Sequence, residues 1–108
     1  MKSASRRQEE RTARDFGGRR QPGSGNGWAR KGDVATPVLL IENKCTGNNS
    51  ITLKAVALKK ICDEATAEGV VPALVIELGG AEYVLFTKDD VLELFGDRLG
   101  TAGLAGPK

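Results

Sequence analysis

The stretch Lys31-Gly32-Asp33-Val34-Ala35-Thr36-Pro37-Val38-Leu39-Leu40-Ile41-Glu42-Asn43-Lys44 decides how the rest of the chain is read. Val38 to Ile41 is an apolar run that turns polar at Glu42. That is the pattern of a strand buried on both faces, at the centre of a sheet covered by helices. Residues 32–35 read as a shorter strand, with Thr36-Pro37 as a two-residue turn between the two. In such a hairpin residue 35 stands opposite 38, and Asp33 stands opposite Leu40. Side chains alternate along a strand, so Leu40, Glu42 and Lys44 share a face. Asp33 joins that face, diagonal to Glu42 and within its reach. Two carboxylates and one ammonium therefore converge at the open end of the hairpin. Carboxylates this close repel unless a cation lies between them, and Mg²⁺ or Mn²⁺ prefers such an oxygen-only site with waters left in place. Lys44 can then polarise a water or steady charge on an attacked phosphate. The competing reading, a surface ion pair, fits poorly with a glutamate that directly follows an apolar run.

On the N-terminal side, Ser5 to Phe16 reads as a helix, with Ser5 and Gln8 forming a capping box and Gly17-Gly18 a stop. Glu9, Ala13 and Phe16 lie at i, i+4 and i+7 and should share the inward face; Glu10 lies about 100° away. Residues 19–21 are a short polar strand, and residues 22–31, rich in glycine, are a mobile loop. On the C-terminal side a second helix is expected over 53–68, with Leu53, Val56, Ala57, Ile61 and Ala65 on one stripe and Gly69 as its end. Val70–Leu78 is a second buried strand, with Pro72 near its start. Gly79-Gly80 turns it into a strand over Glu82–Phe86. Asp89–Phe95 is a short last helix, and residues 1–4 and 97–108 are expected to be flexible tails. The order is α-β-β-β-α-β-β-α, an α/β fold with a mixed central sheet in one domain of 108 residues.

Composition narrows the chemistry. The chain has no histidine, which excludes a Cys/His zinc site and a Ser-His-Asp triad. Its two cysteines, Cys45 and Cys62, form no CxxC pair and are expected to be free thiols in a reducing cytosol. No stretch approaches the roughly 20 apolar residues of a membrane span, and the opening MKSASRRQEE has no apolar core of a secretory signal. Net charge is +2, unevenly placed: residues 1–33 hold nine Lys/Arg against four Asp/Glu, while residues 34–108 hold seven against ten. A basic segment on a mildly acidic body suits a polyanionic partner, or a solvated arm.

Asp33 with Glu42-Asn43-Lys44 resembles the D…(D/E)xK motif of the PD-(D/E)XK nucleases. Gly17-Gly18-Arg19-Arg20-Gln21-Pro22-Gly23-Ser24-Gly25, followed by Lys31-Gly32-Asp33-Val34, resembles archaeal and phage-encoded Holliday-junction resolvases more narrowly, over about residues 5–95. The resemblance implies a restriction-endonuclease-like core. It implies a Mg²⁺-dependent endodeoxyribonuclease, with Mn²⁺ as a substitute, that cuts branched DNA as a homodimer and leaves a 5′-phosphate. It implies Asp33 and Glu42 as metal ligands, Lys44 as the catalytic lysine, Glu9 (with Glu10 as second choice) as the helix glutamate, and Arg19, Arg20, Ser24 and Lys31 at the DNA. Asn43 stands where relatives have an apolar residue or cysteine, and its side chain should point away from the site. No small-molecule cofactor and no membrane are implied; the setting is the cytosol of a prokaryote or of a phage-infected host.

Each residue also has a plainer role. Glu9 could be a solvated charge near a helix start. Arg19 and Arg20 could protect a wet edge strand. Trp28 could stack on a base or close over the core. Cys45 reads as a packing residue. Lys54, Lys59 and Lys60 of the second helix could touch phosphate or form its solvated face. The strands over 38–41 and 71–78 offer apolar surface beyond what two helices cover, leaving some for a symmetric partner. The rival functions are a non-catalytic DNA-binding module on the same fold, and a general nicking or repair nuclease.

Overall fold

The computed structural model describes residues 3–21 and 33–99. The elements run α1 (Ala4–Phe16), β1 (Arg19–Arg20), β2 (Val34–Ala35), β3 (Leu39–Cys45), α2 (Ala55–Glu68), β4 (Val71–Leu78), β5 (Ala81–Leu85) and α3 (Lys88–Phe95), and a 3₁₀ turn follows at Gly96–Arg98. The α/β class and the expected element order are both found. The expected mobile loop at 22–31 and most of the expected tails lie outside the described residues. Ser3 and Ala4, however, begin α1, and the 3₁₀ turn extends order past residue 96.

The five strands form one mixed sheet in chain order. β3 and β4 pair in parallel; β1–β2, β2–β3 and β4–β5 pair antiparallel. A parallel pair cannot be closed by a tight turn, so the chain must cross over a face of the sheet, and α2 is that crossover. Leu40 and Ile41, both fully buried, point to opposite faces of β3 and so anchor both layers. Each contributes about 1.5–3 kcal/mol by burial. On one face Ala35, Leu40, Leu74 and Ile76 meet Ile61 and Ala65 of α2. On the other, Val34, Ile41, Ala73 and Val75 form a smaller cluster that Ala13 of α1 joins.

The hairpin turn falls one residue later than expected. Thr36 is the last ladder residue, its amide donating to the Leu39 carbonyl at 2.9 Å, and Pro37-Val38 make the turn. The Thr36 hydroxyl oxygen decides this by accepting the amides of Val38 at 3.1 Å and Leu39 at 2.9 Å. Val38 is therefore 63% exposed rather than part of the buried strand. Ala35 stands opposite Leu40 and Val34 opposite Ile41, a register two residues from the expected one. A shift by two preserves every side chain's face, whereas a shift by one would reverse it.

Helix α1 departs further. Ser3, not Ser5, is the N-cap, accepting the Arg6 amide at 3.1 Å. The buried positions are Gln8 and Thr12, one residue round from the expected stripe; Ala13 is half-buried and Phe16 is 37% exposed. The sheet beneath α1 presents polar groups, so polar side chains dock there. Gln8 Nε2 donates to the carbonyls of Lys44 at 2.9 Å and Val75 at 3.2 Å, and the Thr12 hydroxyl donates to Asn43 Oδ1 at 2.6 Å. After Gly17, which ends the helix in the left-handed conformation at φ 68°, Gly18 passes close to β2. A Cβ there would lie 2.7 Å from the Ala35 carbonyl oxygen and 2.8 Å from Thr36 Cγ2, so only glycine fits without a shift.

In α2 the expected Ile61 and Ala65 are buried, but Val56 is 73% exposed and Leu58 takes its place against the core. The helix begins at Ala55 because Leu53 stays in the preceding loop and packs from there. Thr87 caps α3, which starts at Lys88 and has no buried residue. Phe95 reaches back to Phe86 edge-on, with ring centres 6.3 Å apart. No helix among the described residues is long and apolar enough to cross a membrane.

Candidate metal and phosphate site

Glu42 and Lys44 leave the core along β3 on the face of Leu40, the α2 side, as alternation requires. Lys44 Nζ lies 2.8 Å from Glu42 Oε2. Asp33 stands just before β2, its amide donating to the Ile41 carbonyl at 2.9 Å. Its carboxylate Oδ2 accepts the Asn43 amide at 2.8 Å. The observed register therefore brings Asp33 level with Glu42 rather than diagonal to it.

Asp33 is the electrostatic centre of the group. Burial pushes its carboxyl above the ordinary aspartate value, against the opposing Asn43 hydrogen bond; the charges of Glu9 and Glu42 push it further up and that of Lys44 pulls it down. Glu9, Asp33, Glu42 and Lys44, the four residues expected to be catalytic, thus share one field, although they come from three separate segments. Glu9 belongs to α1, and its Oε1 accepts from Arg20 Nε at 3.2 Å. Glu10 is paired one turn back with Arg6 at 3.4 Å, so Glu9 is the helix glutamate whose charge reaches Asp33. Among the described residues no three Cys, Asp or Glu side chains form a ready-made ion cage. The donor set around Asp33 is nonetheless carboxylate oxygen, which suits a hard divalent cation.

Arg19 and Arg20 are exposed on β1 at the sheet edge, opposite Ala35 and Val34. Arg20 is turned toward Glu9, so it does not reach outward alone. Ser24 and Lys31, expected at the DNA, and Trp28 lie outside the described residues. Asn43 points to the α1 side, away from Glu42 and Lys44, as expected; its Nδ2 is buried without a hydrogen-bond partner among the described residues. Cys45 is a free, half-buried thiol, 3.8 Å from Ser5 Oγ.

Two features escaped the sequence reading. Gln8, assigned there to a capping box, instead reaches the main chain of Lys44 from the residue next to Glu9. The only signal was its spacing of four from Thr12. The other is a cleft of about 260 Å³ beside Glu42 and Lys44, closed by residues of the loop before α2, including Thr52 and Lys54. No local pattern marks a cleft made by segments ten residues apart. The sequence matches no family model, no curated protein and no solved structure.

Proposed function

We propose that the mixed sheet is a restriction-endonuclease-like core and that the chain is a Mg²⁺-dependent endodeoxyribonuclease of the PD-(D/E)XK type, acting as a homodimer on branched DNA such as a four-way junction. The observation that carries the reading is the convergence of Glu9, Asp33, Glu42 and Lys44 on one end of the β2–β3 hairpin, with Asp33 held against ionisation by burial and by its carboxylate neighbours. A cation offsets that crowding; a purely structural ion pair has no need of the extra carboxylates. When bound, Mg²⁺ supplies an acidified water and offsets charge on the phosphate. Asp33 and Glu42 would hold it, with Glu9 nearby. Lys44 would orient the attacking water and balance charge on the phosphoryl oxygens. Water oxygen bonds to phosphorus as the bond to the 3′ oxygen breaks, leaving a 5′-phosphate and a 3′-hydroxyl. Arg19 and Arg20, with Ser24 and Lys31, would contact the DNA backbone.

The test is a labelled four-way junction incubated with Mg²⁺ and with EDTA, for the wild type and Glu42→Gln. The amide keeps the carboxylate's shape but removes a charge, so cleavage should fall by at least about 100-fold while junction binding stays within about twofold. Cleavage by Glu42→Gln at the wild-type rate would show that the carboxylate is no ligand. Binding without cleavage by the wild type would favour the non-catalytic module, and equal cutting of junction, flap and linear duplex would favour a general nuclease.

A further inference from the structure

The cleft beside the proposed site separates the lysines of α2. Glu42 and Lys44 of β3 line it together with Thr52 and Lys54 of the loop before α2 and the apolar Leu58 and Leu74. Lys59 is neutralised by Asp63 at 2.7 Å and Lys60 approaches Glu64 at 3.9 Å, each one turn along the helix. Lys54 forms no ion pair among the described residues. Of the three lysines it is thus the one without a paired carboxylate among the described residues, and it lines the same cleft as Lys44.

We infer that Lys54, assisted by the Thr52 hydroxyl, binds a backbone phosphate of the nucleic-acid strand next to the phosphate that is cut, so that the strand runs through this cleft between β3 and the loop before α2. The inference rests on the nuclease reading. Two cations lining one cleft, one paired with Glu42 and one with no ion pair among the described residues, suit a polyanion bound there. The apolar floor of Leu58 and Leu74 accepts the sugar face. Glu42 offsets Lys44, which leaves Lys54 as the net positive charge in the lining for a neighbouring phosphate. Lys59 and Lys60, already matched by carboxylates on their own helix, have little charge left to offer.

The experiment measures equilibrium binding of the full chain to a labelled four-way junction in EDTA across a salt series, alongside cleavage in Mg²⁺. Each phosphate contact contributes a slope of about −0.9 in log K against log salt. Lys54→Ala should reduce the slope by about one such unit and weaken binding roughly tenfold at low salt. Lys54→Arg should restore both, and Lys59→Ala should change neither. Thermal melting of each variant checks that the fold is intact; Lys54 is exposed, so none should melt early. If Lys54→Ala keeps the wild-type slope while the wild type cuts in Mg²⁺, Lys54 is a solvated lysine and only this inference falls. An equal loss for Lys59→Ala also overturns it, since general charge would then explain the effect. If the wild type neither binds nor cuts, the nuclease reading falls and takes the inference with it.

Discussion

Asp33 is held at a cost to stability. Its carboxyl is raised by burial first, and then by Glu9 and Glu42, despite the Asn43 amide it accepts. Below the ordinary carboxylate range both folded and unfolded chains carry the Asp33 proton, and this residue takes nothing from the stability. As pH rises through the raised folded-state value, the folded chain must hold a half-buried anion and that part of the stability is lost. Asp33→Asn should therefore stabilise the metal-free protein at neutral pH, raising its melting temperature above that of the wild type. The amide still accepts from Asn43, so the fold has no reason to change. The gain should shrink toward zero on acidification, as thermal melts over a pH series will show. A variant less stable than the wild type at neutral pH would mean that the Asn43 hydrogen bond outweighs burial. Mg²⁺ should raise the melting temperature of the wild type but hardly that of Asp33→Asn, because a ligand that binds only the folded state stabilises it by an amount that grows with the logarithm of its concentration over Kd.

At the scale of elements, α1 is held by polar contacts where a helix ordinarily relies on an apolar stripe. Gln8 bridges the adjacent strands β3 and β4 through their carbonyls, and Thr12 reaches Asn43. Arg11 Nη2 lies 3.0 Å from Glu77 and 3.4 Å from Glu82. These two glutamates stand opposite each other on β4 and β5, a like-charge pair that would otherwise repel. Because hydrogen bonds are directional, this interface fixes the rotation of α1 more tightly than apolar packing would, and Glu9 is placed by that rotation. Gln8→Leu keeps the bulk but removes two hydrogen bonds, one buried and one partly buried, each worth about 0.5–1.5 kcal/mol net, so it should destabilise the protein by about 2 kcal/mol. Arg14→Ala, on the exposed side of the same helix, should cost less than about 0.5 kcal/mol. Urea unfolding of both variants makes the comparison. Equal, small losses would show that α1 docks through Ala13 and its apolar neighbours instead.

At the scale of the whole molecule, most of the apolar strand surface expected to be left for a partner is used within the chain, with Val38, 63% exposed, as the exception. Leu40, Ile41 and Ala73 to Ile76 are all buried between the helices. Phe16, Val38, Val56 and Leu99 are exposed singly; a group of exposed apolar side chains lies at Tyr83 and Val84 on β5, an edge strand, and at Leu92, Leu94 and Phe95 on α3. An edge strand with unpaired backbone groups and exposed apolar side chains readily takes up another chain. The homodimer proposed for paired cuts should use this surface. Sedimentation at micromolar concentration should show a dimer, and Val84→Lys should weaken it at least about tenfold, since a charge would enter an apolar contact. A wild-type monomer at that concentration would remove the basis for symmetric cleavage. An unchanged dimer with Val84→Lys would move the interface away from β5.

What the sequence determined by itself was local. Period-two alternation from Leu40 put Glu42 and Lys44 on one face and Asn43 on the other. The apolar runs and glycine stops set the α/β class and the element order. Asp33 kept its predicted face even though the register moved, because a two-residue shift does not alter parity. Ile61 and Ala65 were legible because helical spacing is equally local. The tertiary structure alone decided which side of α1 faces the sheet, since that depends on the carbonyls of Lys44 and Val75 and on Asn43, contributed by residues far along the chain. It alone decided that Val56 stays outside while Leu58 packs, and that Lys54, not Lys59 or Lys60, shares a cleft with Lys44. Those outcomes follow from matching polar groups and closing space between distant segments, and no spacing within one segment encodes them.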